Sequence, residues 1–174
     1  MAAPARIKLD EIDLRLLSVL QEEGRISKTD LASRINLSVS ACFERMQRLE
    51  AQKVVQSYHA TVNPALFASM QMFHAHIILK THRSADFGKF ENYVRGIDMI
   101  TECYALGGGV DYTIKVLGCT VSQYQRLIDD LLDADIGVDR YFTYIVTKVI
   151  KESRLSVQSM VDIRRDSEKD LAIS

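Results

Sequence analysis

The chain has 174 residues, 47% of them hydrophobic and 26% charged, a composition typical of a folded globular protein with room for one ordinary domain or two small ones. Its 22 basic and 23 acidic residues leave a formal charge of −1, so bulk charge gives no support to nucleic-acid binding. No apolar run approaches the roughly 20 residues that cross a bilayer, and Met1-Ala2-Ala3-Pro4-Ala5-Arg6 lacks the hydrophobic stretch of a secretory signal.

Leu9, Ile12, Leu16 and Leu20 recur at helical spacing, thickened by Leu14, Leu17 and Val19, and predict a helix to about Glu23 with Gly24 as its stop signal. Ser27-Lys28-Thr29-Asp30 reads as a capping box that opens a short helix with Leu31, Ala32 and Ile35 inward. Asn36-Leu37 ends it, and Ser38 is the N-cap of a third helix. Val39, Cys42, Met46 and Leu49 form that helix's apolar stripe. Ser40, Ala41, Glu44, Gln47 and Arg48 lie opposite, with Arg45 at the margin. Three short helices with so tight a second turn have helix-turn-helix proportions.

After Lys53 the texture becomes β-branched and aromatic from Val54 to Val62, a wing or linker strand punctuated by Asn63-Pro64. The order beyond is strand, helix, strand, strand, helix, strand. Phe73, Ala75, Ile77 and Leu79 alternate with His74, His76 and Ile78. Phe87, Phe90, Val94 and Ile97 mark a helix, Ile100 to Leu106 a strand, and Val110, Tyr112, Ile114 and Val116 another. Tyr124, Leu127, Ile128, Leu131 and Leu132 mark the second helix, and Tyr141 to Ile150 the last strand. The fold class is therefore α+β: a winged helix-turn-helix over residues 8–54, a β linker or wing over 55–66, and a ferredoxin-like βαββαβ domain over 67–152. Residues 153–174 are a C-terminal tail that begins with a docked helix. One sheet face carries Ile78 and Tyr141 or Phe142, which are poorly suited to water, so at least a dimer is expected.

Leu9-Asp10-Glu11-Ile12-Asp13 with Leu16-Leu17, then Leu37-Ser38, Cys42-Phe43-Glu44-Arg45-Met46, Arg48-Leu49-Glu50, Tyr58 and Asn63-Pro64 follow one another in an order that resembles the Lrp/AsnC family of transcription regulators. Glu102-Cys103-Tyr104, Gly108, Asp111-Tyr112 and Thr143-Tyr144 continue the resemblance, which spans about residues 8 to 155. Lys53 stands where the family usually has glycine, Gly109 where an acidic residue is common, and Tyr141 where a small or hydroxylated one is usual.

The resemblance implies a sequence-specific, cytoplasmic and nucleoid-associated DNA-binding regulator, not an enzyme, with no cofactor beyond an amino-acid or related effector. It implies a double-stranded operator as partner and a homodimer that assembles to a tetramer or octamer. A recognition helix offers its N-terminal half to base edges in the major groove, which points to Ser38, Ser40, Ala41, Glu44, Arg45, Gln47 and Arg48. Lys28 and Arg34 are candidate phosphate contacts. On composition alone, Arg45 and Arg48 read as a solvated surface with Glu44 and Glu50. Up to Asn63 there are nine basic and eight acidic residues, and beyond it thirteen and fifteen. The asymmetry points the right way but is too small to decide.

Gly107-Gly108-Gly109-Val110-Asp111 is a second candidate site, where backbone N–H groups can approach a carboxylate and Asp111 an ammonium group. Thr143 adds a hydroxyl, and Tyr104 and Tyr141 shape the pocket. The plain alternative is a glycine-rich hairpin with Asp111 solvated or bonded to the turn. The resemblance favours the effector site, since family effectors lodge around this loop near subunit interfaces.

His74-x-His76 supplies too few ligands for a metal site. Cys42, Cys103 and Cys119 are too scattered for a disulfide framework or zinc finger, and fit a reducing compartment. No nucleophile motif and no phosphate-binding Gly-Lys-Ser/Thr is present. The competing class is a small ferredoxin-like enzyme, or a regulatory subunit of a metabolic enzyme, carrying a helical appendage.

Overall fold

The computed structural model describes residues 7–118 and 120–173; the leading Met1–Arg6 segment and Cys119 lie outside the described residues. The chain divides into two units, Met1–Thr61 together with Glu152–Ser174, and Val62–Lys151.

In the first unit, α1 (Glu11–Glu22), α2 (Lys28–Arg34) and α3 (Val39–Ala51) enclose Leu16, Leu31, Ala32, Ile35, Cys42 and Leu49. Helix starts follow from side-chain caps. Asp10 accepts from the Asp13 N–H at 2.8 Å and the Asp13 carboxylate accepts from the Asp10 N–H at 3.1 Å, a reciprocal box. At α2 the expected box is only half formed. Ser27 accepts from the Asp30 N–H, but the Asp30 carboxylate takes the Ser27 hydroxyl at 2.6 Å instead of its backbone.

The stops of α2 and α3 are turns of one kind. Asn36 (φ 56°) closes α2 with Asn36 N–H to Ser33 and Leu37 N–H to Ala32, and Lys53 (φ 58°) closes α3 with Lys53 N–H to Glu50 and Val54 N–H to Leu49. Both are Schellman motifs whose left-handed position is held by a residue other than glycine. Val39 belongs to the expected apolar stripe but is 46% exposed and lies outside the core formed by Cys42 and Leu49.

The expected wing strand does not form a ladder: residues 54–63 make no strand pairing among the described residues, and Pro64–Leu66 is a 3-10 turn. A strand needs a partner for its N–H and C=O groups, and this segment has no such partner among the described residues. The final residues hold a longer helix than a tail suggests. In α6 (Val157–Ile173), the first turn meets α1 through Gln21, which donates to the Leu155 carbonyl at 2.8 Å and accepts from the Val157 N–H at 3.0 Å.

The second unit runs β1 (Met72–Leu79), α4 (Ser84–Arg95), β2 (Ile100–Ala105), β3 (Tyr112–Leu117), α5 (Val121–Asp133) and β4 (Val138–Ile145). The sheet order is β2-β3-β1-β4 with every neighbour antiparallel, the ferredoxin-like arrangement expected. Phe73, Ala75, Ile77 and Leu79 of β1 are buried with Phe90 and Val94 of α4 and Tyr124, Leu127, Ile128 and Leu131 of α5. Phe73 stacks on Tyr124 with ring centroids 4.2 Å apart.

The last strand begins at Val138 and ends at Ile145, shifted from the expected Tyr141 to Ile150, because the β1 register pairs Leu79 with Val138 and Phe73 with Ile145. Leu132 is 42% exposed on α5's outer side, not in its apolar stripe. Pairing of Ile77 with Tyr141 and His76 with Phe142 puts Tyr141 on the helix side, leaving Phe142 with Ile78 on the open side. No helix of the described residues is long and apolar enough to cross a membrane.

Candidate DNA-reading helix and effector loop

The Ser38 hydroxyl caps α3 by accepting from the Ala41 N–H at 3.3 Å and lies 3.2 Å from the Ser40 hydroxyl. Beyond this cap the helix carries two adjacent hydrophilic stripes, since residues three and four apart share a face. Ser40, Glu44 and Gln47 are exposed along one. Ala41, Arg45 and Arg48 run along the other, beside α1.

The second stripe is anchored. Asp13 of α1 is 1% exposed, and a buried carboxylate is costly unless paired and hydrogen-bonded. Arg45 Nη1 donates to its Oδ1 at 2.9 Å and Arg48 Nη2 to its Oδ2 at 2.5 Å, while the Asp10 N–H supplies a third donor. Arg45 also reaches Asp10 at 2.6 Å, holding that carboxyl below its ordinary range. Both arginines expected as free readers therefore hold a carboxylate. Breaking such a pair by removing one partner costs on the order of 3 kcal/mol, because the remaining charge is stranded.

The other expected contacts are also partly engaged. Lys28 Nζ lies 3.8 Å from the Phe43 ring centroid, a cation–π contact that leaves the ammonium exposed. Arg34 pairs with Glu23 at 2.6 Å on the surface. Tyr58 donates to Glu50 at 2.9 Å, fastening the segment after α3 to its last turn, and burial together with this bond pushes the phenol up to about 12.

In the second unit, Gly107, Gly108 and Gly109 form the exposed β2–β3 turn. Only Gly108, at φ 133°, needs glycine's freedom, and a Cβ at Gly107 or Gly109 would meet open space. The Asp111 side chain is only 15% exposed. Its Oδ2 accepts from the Leu79 N–H at 2.8 Å, and His82 Nε2 lies 3.0 Å from Oδ1. The carboxylate thus caps the irregular end of β1, where the register with β4 shifts between Ile78 and Leu79.

The remaining expected effector residues do not converge within one chain. Tyr104 stands on β2 and bonds Glu102 at 3.2 Å, on the open side with Lys115. Tyr141 and Thr143 stand on β4, at the far edge of the sheet and on the helix side, where Thr143 Oγ1 lies 2.6 Å from the Tyr124 hydroxyl. Opposite faces and opposite edges separate them. Two residues escaped the sequence reading. His82 carries no distinguishing signal. Asp13 does: it is a lone acid on an otherwise apolar helical stripe, which demands a buried cation.

Among the described residues no group of three or more His, Cys, Asp or Glu could hold a metal ion. His76 instead packs against Tyr144, with ring centroids 5.0 Å apart.

A trihelical unit with a capped, outward-facing third helix, followed by a βαββαβ sandwich, defines a class of transcription regulator, and family comparisons agree. Residues 9–56 match the winged helix-turn-helix DNA-binding family and residues 73–156 the Lrp/AsnC ligand binding domain. The transcriptional regulatory protein DoeX of Halomonas elongata is 46% identical over 151 residues, 87% of this chain and 96% of that protein. The leucine-responsive regulatory protein of Escherichia coli is 34% identical over 145 residues, 83% of this chain and 88% of that one. A Neisseria meningitidis transcriptional regulator solved as an L-Met complex superposes with a TM-score of 0.78 at 27% identity, over 84% of this chain and 94% of that one. An AsnC family regulator from Agrobacterium tumefaciens has the same fold, with a TM-score of 0.81 at 24% identity, over 87% and 99% of the two chains.

The chain belongs to the Lrp/AsnC family of DNA-binding transcriptional regulators. The helix α6 begins where the matched ranges end.

Proposed function

We propose that α3 lies in the major groove of a partly palindromic operator, with Ser38, Ser40, Ala41, Glu44 and Gln47 toward base edges, Arg45 and Arg48 alongside, and Lys28 and Arg34 near phosphates. The observation that carries this reading is the exposed polar stripe Ser40, Glu44 and Gln47 on a helix whose opposite side is buried. The groove admits a helix, and glutamine and glutamate have donors and acceptors suited to base edges. One unit covers too little duplex for useful selectivity, so two copies about 34 Å or a multiple apart read the site.

The open sheet face favours a homodimer as the building block of a tetramer or octamer. Phe142 and Tyr144 are 49% and 52% exposed there beside His74, His76 and Ile78. An amino acid or related metabolite binds at the Gly107–Asp111 loop, with Tyr104, Tyr141 and Thr143 supplied from more than one copy. The chain acts in the cytoplasm and without catalysis of its own, as a sensor in which ligand and operator alter each other's affinity. The L-Met complex of the Neisseria regulator supports the ligand class.

Selection from a randomised duplex pool, followed by gel shifts with and without each amino acid, tests both halves. A preferred, salt-steep duplex and one amino acid that shifts its affinity are expected. Gly109→Val should keep the fold and lose the shift, since the space it fills in the free chain is where the ligand belongs. Absence of any preferred duplex overturns the DNA reading, and indifference to all amino acids overturns the sensor reading.

A further inference from the structure

We propose that Asp13 is a positioning residue for DNA recognition: its buried carboxylate withdraws Arg45 and Arg48 from the duplex and leaves selection to the neighbouring stripe, Glu44 and Gln47 above all. The proposal rests on α3 being the reading helix and divides the labour along it. Arginine reads guanine by presenting its full fork to O6 and N7. Arg45 commits Nη1, one arm of that fork, to both Asp13 and Asp10, and Arg48 commits Nη2 to Asp13 at 2.5 Å, so each arginine is turned toward α1. Glu44 and Gln47, one helical turn apart on the exposed side, hold no such partner among the described residues.

Two consequences follow from charge alone. With Asp10 and Asp13 opposite Arg45 and Arg48, this part of the helix is nearly neutral, so phosphate attraction does not mask base discrimination. The arginines also fix the rotation of α3 against α1, and with it which side chains face outward. Without the Asp13 charge Arg48 is freed to bind phosphates of any sequence, adding about 0.9 to the salt slope, while Asp10 still holds Arg45 at 2.6 Å.

The experiment uses the full chain and the duplex selected by the wild type, against a scrambled duplex, over a salt series. For Asp13→Asn, binding to the scrambled duplex should tighten, the slope of log K against log salt should steepen by about 1, and the preference for the selected duplex should fall at least tenfold. A destabilised fold alone would weaken both duplexes without steepening the slope. Folded Asp13→Asn protein with unchanged slope and preference overturns the proposal.

Circular dichroism reports whether that variant folds. If it does not, Glu44→Ala and Gln47→Ala, both at exposed positions, decide. Each should alter preference at one base position with the salt slope unchanged, and an unaltered preference profile in both overturns the proposal. A wild type that selects no duplex overturns the underlying DNA reading instead, a distinct outcome.

Discussion

Lys53 holds a left-handed backbone at φ 58° to close α3. A side chain there costs about 1 kcal/mol or more relative to glycine, partly offset by the freedom glycine adds to the unfolded chain. Lys53→Gly is therefore expected to raise stability by about 0.5 kcal/mol in urea titrations, with the m-value unchanged. Tyr58 makes a pH prediction. Its phenol is raised from 10 to about 12 in the folded chain, so the folded state favours the neutral form. That contribution is complete below pH 10 and is lost as the pH climbs through about 12. Melting temperatures of wild type and Tyr58→Phe should converge across this window. Asp10 runs the opposite way: Arg45 lowers its carboxyl, so its contribution is present above the unfolded value near 3.8 and disappears as acid is added below it.

At the scale of elements, the β2–β3 hairpin separates conformational need from available space. Gly108→Ala places a Cβ at φ 133° and should cost about 1–2 kcal/mol, whereas Gly109→Ala, which meets nothing within 4 Å, should stay within about 0.5 kcal/mol. Thermal melts of the two variants check the contrast. Most elements were legible because each carries its own period: α3 in Cys42, Met46 and Leu49, β1 in strict alternation from Phe73 to Leu79. The limits of β4 were not, since Val138 and Ile145 are chosen by register with Leu79 and Phe73, a property of the partner strand. The candidate sites were legible as stretches of chain but not as contacts. Nothing near Arg45 in the sequence announces that Asp13, 32 residues earlier, claims its guanidinium, nor that Asp111 serves the Leu79 amide.

For the whole molecule, the open sheet face sets the expectation. Its exposed Phe142 and Tyr144 flank His76 in the middle of the sheet, and burying one large aromatic at an interface is worth about 1.5–3 kcal/mol. Phe142→Lys replaces that gain with a charge that must be desolvated. Sedimentation of the variant should show smaller assemblies than the wild type at equal concentration, with far-ultraviolet circular dichroism unchanged. Identical sedimentation of the two proteins would place the subunit interface elsewhere.

The Gln21 amide has a further consequence in time. Its two bonds to the start of α6 span 134 and 136 positions of chain, so they close only after nearly everything between has been made. On the ribosome, where domains fold as units as they emerge, the trihelical head can assemble around Leu16 and Leu49 early, yet its fourth helix arrives last. A nascent chain thus carries a trihelical unit that still lacks the helix Gln21 holds.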